Sequence, residues 1–181
     1  MPTRPSIFIL TGKPTSAPGG YQTYADSLVS TLHHLGYSTR IFSAPPLPQP
    51  LTFLPILSLV LALKIIPHLK SQTIIIGIGP WTLAGALLKL IFPRRVILIA
   101  TYFTTIKHEF AGSYSEILSH PYPLLLKLQY YFASFTLIPL YSLLEKFTLF
   151  RADYILTHYL STESILKREF GLSKFTRLPY V

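Results

Sequence analysis

The first 43 residues contain one complete α/β unit, and this unit constrains the fold more than any other part of the chain. Residues 6–10 form an apolar run of strand length, which a loop connects to Gly19 and Gly20. Apolar residues then recur at three- and four-residue steps over positions 21–35, as in an amphipathic helix, and residues 38–43 form a second strand-like segment. This order predicts two parallel strands joined by a crossover helix.

The same alternation continues to the end of the chain. Further strands are predicted at residues 73–78, 95–100, 154–157 and 175–178. Several of these segments are continuous apolar runs, as expected for parallel strands that are buried on both faces. The sequence therefore predicts a single α/β domain whose parallel sheet carries helices on both faces.

Helices are predicted between these strands. They occupy residues 81–92, residues 121–150, where Pro139 should cause a kink or break, and residues 161–170, which open with a capping-box pattern at Ser161 and end at Gly171. Residues 101–120 are polar and aromatic, and we expect them to form a long loop with little regular structure.

The glycine pair Gly19 and Gly20 is the first candidate site. Glycines between a first strand and a first helix expose backbone N–H groups at a helix N-terminus, where phosphate and other anions bind. A turn that only reverses the chain is the alternative. The sequence contains neither G-x-G-x-x-G nor G-x-x-x-x-G-K-[ST], which argues against NAD binding and ATP hydrolysis.

Charge and composition narrow the set of partners. The net charge of +9 favours anionic partners, but the basic residues are scattered and match no nucleic-acid-binding motif, so we expect no nucleic acid. With no cysteine, the chain has no disulfides or thiolate metal sites, and no metal site is expected. The first strand is too short for a signal-peptide core, so we expect a cytoplasmic location.

Two long apolar stretches, residues 51–66 and 128–144, allow two interpretations. Both contain a proline and are shorter than the roughly 20 residues of a bilayer span, so they form either buried core helices or segments that insert into the membrane interface. In the second case the protein is peripheral on the membrane, and nearby basic residues meet anionic headgroups. The candidates for this contact are Lys64, Lys70, Arg94, Arg95 and Lys127. A solvated basic face is the alternative.

The order of motifs along the whole chain resembles the N-terminal domain of family 4 glycosyltransferases. The glycine pair precedes a helix, and Gly36-Tyr37-Ser38-Thr39 resembles the turn into the second strand of that family. Arg151-Ala152-Asp153 resembles the entry into its last main strand, followed by a serine-led helix. The final Leu-Pro-Tyr-Val, residues 178–181, is similar to the hinge that precedes the second domain of these enzymes.

The resemblance implies a GT-B enzyme built from two Rossmann-like domains, with this chain (residues 1–181) as the acceptor-binding half that ends at the interdomain hinge. The nucleotide-sugar domain is absent from the chain and would come from a longer parent protein or a separate subunit. The donor is then a nucleotide-sugar, the acceptor is a lipid-linked or other glycan, and no metal or other cofactor is implied. A non-catalytic Rossmann-like scaffold, or a membrane-anchoring subunit of a partner glycosyltransferase, is the alternative.

The resemblance also assigns site residues. Gly19 and Gly20 would face the diphosphate, and the acceptor side would be lined by Tyr21, Thr101, Tyr102 and His108. Similar enzymes often carry a sugar-contacting histidine just after the fourth strand, where this chain has Phe103. His108 is the candidate replacement, with an ordinary loop histidine as the alternative.

Overall fold

The computed structural model describes residues 5–13, 19–45 and 53–178. Its centre is a parallel six-stranded sheet with the strand order β2-β1-β3-β4-β5-β6. The strands are β1 (Ser6–Thr11), β2 (Thr39–Ser43), β3 (Thr73–Ile78), β4 (Val96–Tyr102), β5 (Tyr154–Thr157) and β6 (Thr176–Arg177). The predicted single α/β domain with a parallel sheet is confirmed.

Six helices connect the strands. They are α1 (Gly20–His34), α2 (Leu54–Ile65), α3 (Thr82–Ile91), α4 (Ile106–Ser119), α5 (Leu124–Arg151) and α6 (Leu160–Phe170), with short 3₁₀ turns at Ile66–His68 and Gly79–Trp81. Strands β3 and β5 have the predicted bounds, and α6 ends at Gly171 in the left-handed conformation, with φ of 68°.

The two faces of the sheet are covered unequally. On one face, Ile9 and Ile76 pack against α1 through Ala25. On the other face, Leu10 and Leu98 belong to a larger core cluster that also contains buried residues of α2, α3 and α5, and α6 packs beside it through a smaller cluster. Helices therefore lie on both faces, as predicted, with most of the helical mass on one side.

Asp153 joins three elements at the start of β5. Its carboxylate accepts the backbone N–H of Leu98 in β4 at 2.8 Å and pairs with Lys89 of α3. Its own N–H donates to the Leu98 carbonyl, also at 2.8 Å. The Arg-Ala-Asp motif thus has a structural role here, because its acid fixes α3 and β4 to the beginning of β5.

The prediction of a loop at residues 101–120 is wrong, because α4 occupies most of this segment. Thr105 is the N-cap of this helix, since its hydroxyl accepts the N–H of His108 at 3.4 Å, and Glu109 places a negative charge in the first turn. These two features outweigh the polar composition that suggested a loop.

Two features of the later helices differ from expectation. Helix α5 continues through Pro139, so the kink-or-break prediction is wrong as to a break. The predicted capping box at Ser161 does not form, because α6 begins at Leu160 after Tyr159 without a side-chain cap. Thr162 instead donates to the carbonyl of Phe103.

Glu163 likewise forms its hydrogen bonds with other elements and does not cap the start of α6. It binds Arg177 through two contacts of 2.8 Å and accepts the hydroxyl of Thr157 at 2.9 Å, so it joins α6 to β5 and β6. The hinge-like segment lies outside the described residues, except for Leu178.

Candidate functional site

The sheet has a topological switch point between β1 and β3, which are neighbours although the helices that follow them lie on opposite faces. Such a point opens a crevice at the carboxyl ends of the two strands, where ligands of open α/β sheets bind. Gly79 follows β3 with a φ of +56°, and a Cβ there would lie 3.7 Å from the Tyr21 ring. Gly12 follows β1 beneath the Trp81 ring, where a Cβ would clash.

The N-terminus of α1 faces this crevice and carries the predicted glycine pair. Gly19 is the N-cap residue, with a φ of 149°, and no side chain of the described residues caps the helix. Its carbonyl accepts the N–H of Thr23 at 3.0 Å, so the helix is regular from its first turn. Among the described residues, a Cβ on Gly20 would meet nothing within 4 Å, whereas a Cβ on Gly19 would clash with Gln22 Oε1, so the space for an anion at this N-terminus lies beside Gly20.

Tyr21 connects this N-terminus to α4. Its hydroxyl donates to Glu109 Oε2 at 3.2 Å, between residues 88 positions apart in sequence. Burial raises the pKa of Tyr21, and the nearby Glu109 carboxylate raises it further. Burial also raises the pKa of Glu109, while the hydrogen bond from Tyr21 acts in the opposite direction. The pair therefore presents a phenol and a carboxyl group beside the glycines.

Glu145 lies beneath α4 and is the most unusual group of the site. It comes from α5, is 1% exposed, and accepts the Ile106 N–H on Oε1 at 3.0 Å. Its Oε2 is buried without a hydrogen-bond partner among the described residues. Burial raises the pKa of Glu145 to about 8, against the effect of the Ile106 bond, and the charges of Glu169 and Glu109 raise it further. This shift favours the protonated carboxyl group at neutral pH.

His108 lies in the first turn of α4 and is held from two sides. Its Nδ1 is 2.7 Å from the Thr105 hydroxyl, and its Nε2 is 4.0 Å from Glu169 Oε1. Glu169 also pairs with Lys107 at 3.3 Å. Among the predicted acceptor residues, Tyr21 is thus positioned by a hydrogen bond to a carboxylate and His108 by a hydrogen bond with the Thr105 hydroxyl.

Thr101 and Tyr102 end β4 on opposite faces and are 0% and 1% exposed. Tyr102 packs with Leu149 and Leu166 in the core, and burial raises its pKa well above the usual value. Both residues were predicted to line the acceptor side. In this structure their side chains are buried beneath the site and are not exposed to an acceptor.

An aromatic cluster continues this edge beyond β4. Phe103 stacks on His158 with ring centres 4.3 Å apart, and Tyr24 contacts both rings edge-on. His158 follows β5, and its Nδ1–H donates to the carbonyl of Leu178 at 2.9 Å. Burial lowers the pKa of His158, while the hydrogen bond to the Leu178 carbonyl acts in the opposite direction. The histidine nearest to Phe103 therefore comes from the next strand.

The basic residues predicted to contact a membrane lie mostly away from the crevice. Lys64 is near the end of α2, while Lys70, Arg94 and Arg95 precede β3 and β4, at the amino edge of the sheet. Lys127 begins α5. No helix among the residues that the structure describes is long and apolar enough to cross a membrane.

Sequence reasoning missed the acids Glu109, Glu145 and Glu169 and the ring of His158. Glu145 gave a visible signal, because it is the one acid within a long apolar helix. The role of the other residues depends on contacts between distant parts of the chain.

Comparisons with known proteins test the fold. No family model matches the chain, and no curated protein matches it. A solved structure that it resembles is MGS-MChE2, an α/β hydrolase enzyme from the metagenome of sediments from the lagoon of Mar Chica, Morocco. The TM-score is 0.51 at 13% identity, and the match covers 98% of this chain and 80% of that one. At this identity the likeness shows the fold alone, which is an α/β fold.

Proposed function

We propose that the chain is the acceptor-binding half of a nucleotide-sugar-dependent glycosyltransferase of the family 4 type. Its acceptor would be a lipid-linked or other glycan, and the protein would work as a peripheral protein on the cytoplasmic face of a membrane. The observation that carries this proposal is the N-terminus of α1 beside the β1–β3 switch point, where no described side chain caps the helix and no described atom lies within 4 Å of a Cβ placed on Gly20.

The described residues supply distinct contacts for such a substrate pair. The first-turn N–H groups of α1 would bind the diphosphate of the donor, while Tyr21 with Glu109, and His108 with Thr105, would hydrogen-bond acceptor hydroxyls. The rest of the nucleotide-sugar would be held by a second domain or a partner subunit, as in the family that the sequence resembles.

Hydrolase chemistry is less well supported. The nucleophile of α/β hydrolases sits in a G-x-S-x-G motif on a sharp strand-to-helix turn, and this sequence has no such motif. The corresponding sharp turn after β3 contains Gly79, whose φ is positive, followed by Pro80, and neither residue has a nucleophilic side chain. The shared fold therefore does not transfer the activity.

A non-catalytic scaffold or membrane-anchoring subunit is the second candidate. Two observations favour it: Phe103 stands where similar enzymes carry a histidine, and Thr101 and Tyr102 are buried. Both candidates share the fold and differ in whether the crevice binds substrate.

Binding of diphosphates to the α1 N-terminus tests the proposal. Titration calorimetry with UDP, GDP and inorganic pyrophosphate would compare the natural chain with Gly20→Asp, which puts a carboxylate at the proposed anion site. A Cβ on Gly20 meets nothing, and an acid at a helix N-terminus favours the helix, so the variant should fold. We expect at least tenfold weaker binding.

Gly112→Asp is the matched control, since a Cβ on Gly112 in α4 also meets no described atom within 4 Å, and this variant should bind like the natural chain. Equal affinity of Gly20→Asp and the natural chain would refute the diphosphate site. Enzyme and scaffold are then separated by assaying sugar transfer in complex with a candidate second domain. A stable complex that transfers no sugar supports the scaffold.

A further inference from the structure

Helix α5 carries an apolar stripe that faces away from the protein. The stripe recurs at three- and four-residue steps, the spacing with which a helix normally turns one side toward a core. Its members in the first half of the helix are 53% to 72% exposed: Leu124, Leu125, Leu128, Tyr131, Phe132 and Phe135. Such a continuous exposed stripe marks an interaction surface rather than a scatter of surface residues.

The two halves of α5 differ in how they are packed. The described buried residues of the helix lie in its second half, at Tyr141, Glu145, Thr148 and Leu149. In the described part of the helix, the first half packs only partly buried apolar side chains, such as Leu137, against the core. The exposed stripe is therefore an addition to the side chains with which the first half contacts the fold.

Helices α2 and α3 lie in the same layer and extend this surface. Their own exposed apolar residues are Phe53, Ile56, Leu59 and Leu63, near and in α2, and Leu90 and Ile91 at the end of α3. The spacing in α2 is again three to four residues. We call the exposed apolar residues of α2, α3 and α5 the outer face.

The exposed charges around the outer face are predominantly basic. The sequence has no aspartate or glutamate between residues 27 and 108, and the one acid of α5, Glu145, is buried. Among the described residues, the exposed basic side chains of this layer and its loops include Lys64, Arg94, Arg95, Lys146 and Arg151. The exposed acid Asp153, just after α5, is paired with Lys89. A surface that combines exposed leucines and phenylalanines with an excess of cations complements an anionic lipid bilayer.

We propose that the outer face binds the surface of an anionic phospholipid bilayer, with the α5 stripe at the boundary of headgroups and acyl chains. A second copy of this chain is less suitable, because self-association through the face would oppose like charges. This membrane-binding surface adds to the proposed function. It rests on that function only for its purpose, which is to bring the protein to a lipid-linked acceptor.

The docking arrangement also sets an orientation. The outer face belongs to the helical layer opposite α1, while the crevice lies at the carboxyl edge of the sheet. A protein lying on its outer face would thus hold the crevice beside the bilayer rather than facing it. An acceptor with a lipid anchor would enter along the membrane plane.

A tryptophan placed on the stripe tests the docking directly. Phe132→Trp changes a side chain that is 71% exposed, and the natural Trp81, at 4% exposure, gives a constant background. With vesicles of phosphatidylglycerol and phosphatidylcholine, we expect a blue-shifted emission that brominated lipids quench and that high salt weakens. Leu35→Trp is the matched control, because Leu35 is 61% exposed at the end of α1, on the other side of the sheet. It should show neither effect.

A second variant measures how much the stripe contributes. We expect Phe132→Ser with Phe135→Ser to weaken vesicle binding in flotation at least tenfold, and Leu35→Ser to leave it unchanged. Three results would overturn the proposal: no quenching of Phe132→Trp, equal binding to pure phosphatidylcholine, or a dimer in light scattering that the double serine variant dissociates. None of these measurements needs sugar transfer. If the complex with a second domain transfers no sugar but the chain still binds vesicles, the proposed enzymatic function is refuted and the membrane-binding proposal stands.

Discussion

Replacing Glu145 by glutamine should remove a pH dependence from the stability of the protein. The carboxyl group is buried beneath α4, where it accepts the Ile106 N–H on one oxygen and has a pKa of about 8. The ordinary value is 4.5, so between these two values the unfolded chain releases the proton and the folded chain keeps it. A group whose folded pKa is raised in this way lowers stability as the pH rises.

The magnitude follows from one retained proton. The free energy of unfolding should fall by about 1.4 kcal/mol for each pH unit between pH 5 and pH 8, or about 4 kcal/mol in all. Glutamine cannot release a proton and keeps an oxygen that can accept from Ile106. Its amide N–H groups add a penalty of about 1–3 kcal/mol if they stay unpaired, but that penalty does not depend on pH.

Urea denaturation at pH 5, 6, 7 and 8, followed by far-UV circular dichroism, would measure this difference. We expect Glu145→Gln to gain stability relative to the natural chain at each step upward in pH. Equal pH slopes for the two proteins over this range would refute the reasoning, whichever protein is more stable at a single pH.

Three further results are expected. Gly85→Ala should lose about 1–3 kcal/mol of stability in the same urea titration, because its Cβ would lie 2.5 Å from a core leucine methyl group. Gly112→Ala should gain about 0.5–1 kcal/mol, because no described atom lies within 4 Å of its Cβ and alanine favours the helix. Asp153→Ala should lose about 2 kcal/mol, because a backbone N–H of β4 and a lysine of α3 lose their acceptor; unchanged stability would contradict the joining role. The hydrogen bonds from Arg177 lower the pKa of Glu163 to about 2, so its contribution should be complete above pH 4.5 and lost as the pH falls toward 2. Glu163→Gln should abolish that acid dependence in urea titrations at pH 5, 4 and 3.

The strands and most helices could be predicted because local pattern and burial agree. Strand β3 is a continuous apolar run, and five of its six residues pair with neighbours on both sides in the middle of the sheet. The one large error, α4, arose where composition and capping disagree. The Thr105 cap and Glu109 in the first turn were visible in the sequence, but the polar and aromatic residues between them and Ser119 suggested a loop.

The site was predictable only in part, because its contacts join distant positions. The glycine pair could be placed by its position between β1 and α1. The partner of Tyr21 lies 88 residues away, and Glu145 acts on a backbone N–H 39 residues away. Such pairs depend on how α4 and α5 pack over the end of β4, which no local pattern determines.

The proline in α5 has a consequence for local opening. Pro139 has no N–H, so the hydrogen-bond ladder of the helix lacks one bond near the point where buried residues begin at Tyr141. We therefore expect the two halves of α5 to open separately, with amide exchange fast before the proline and slow after it. In that case the first half could unwind at a surface while the second half keeps the sheet covered.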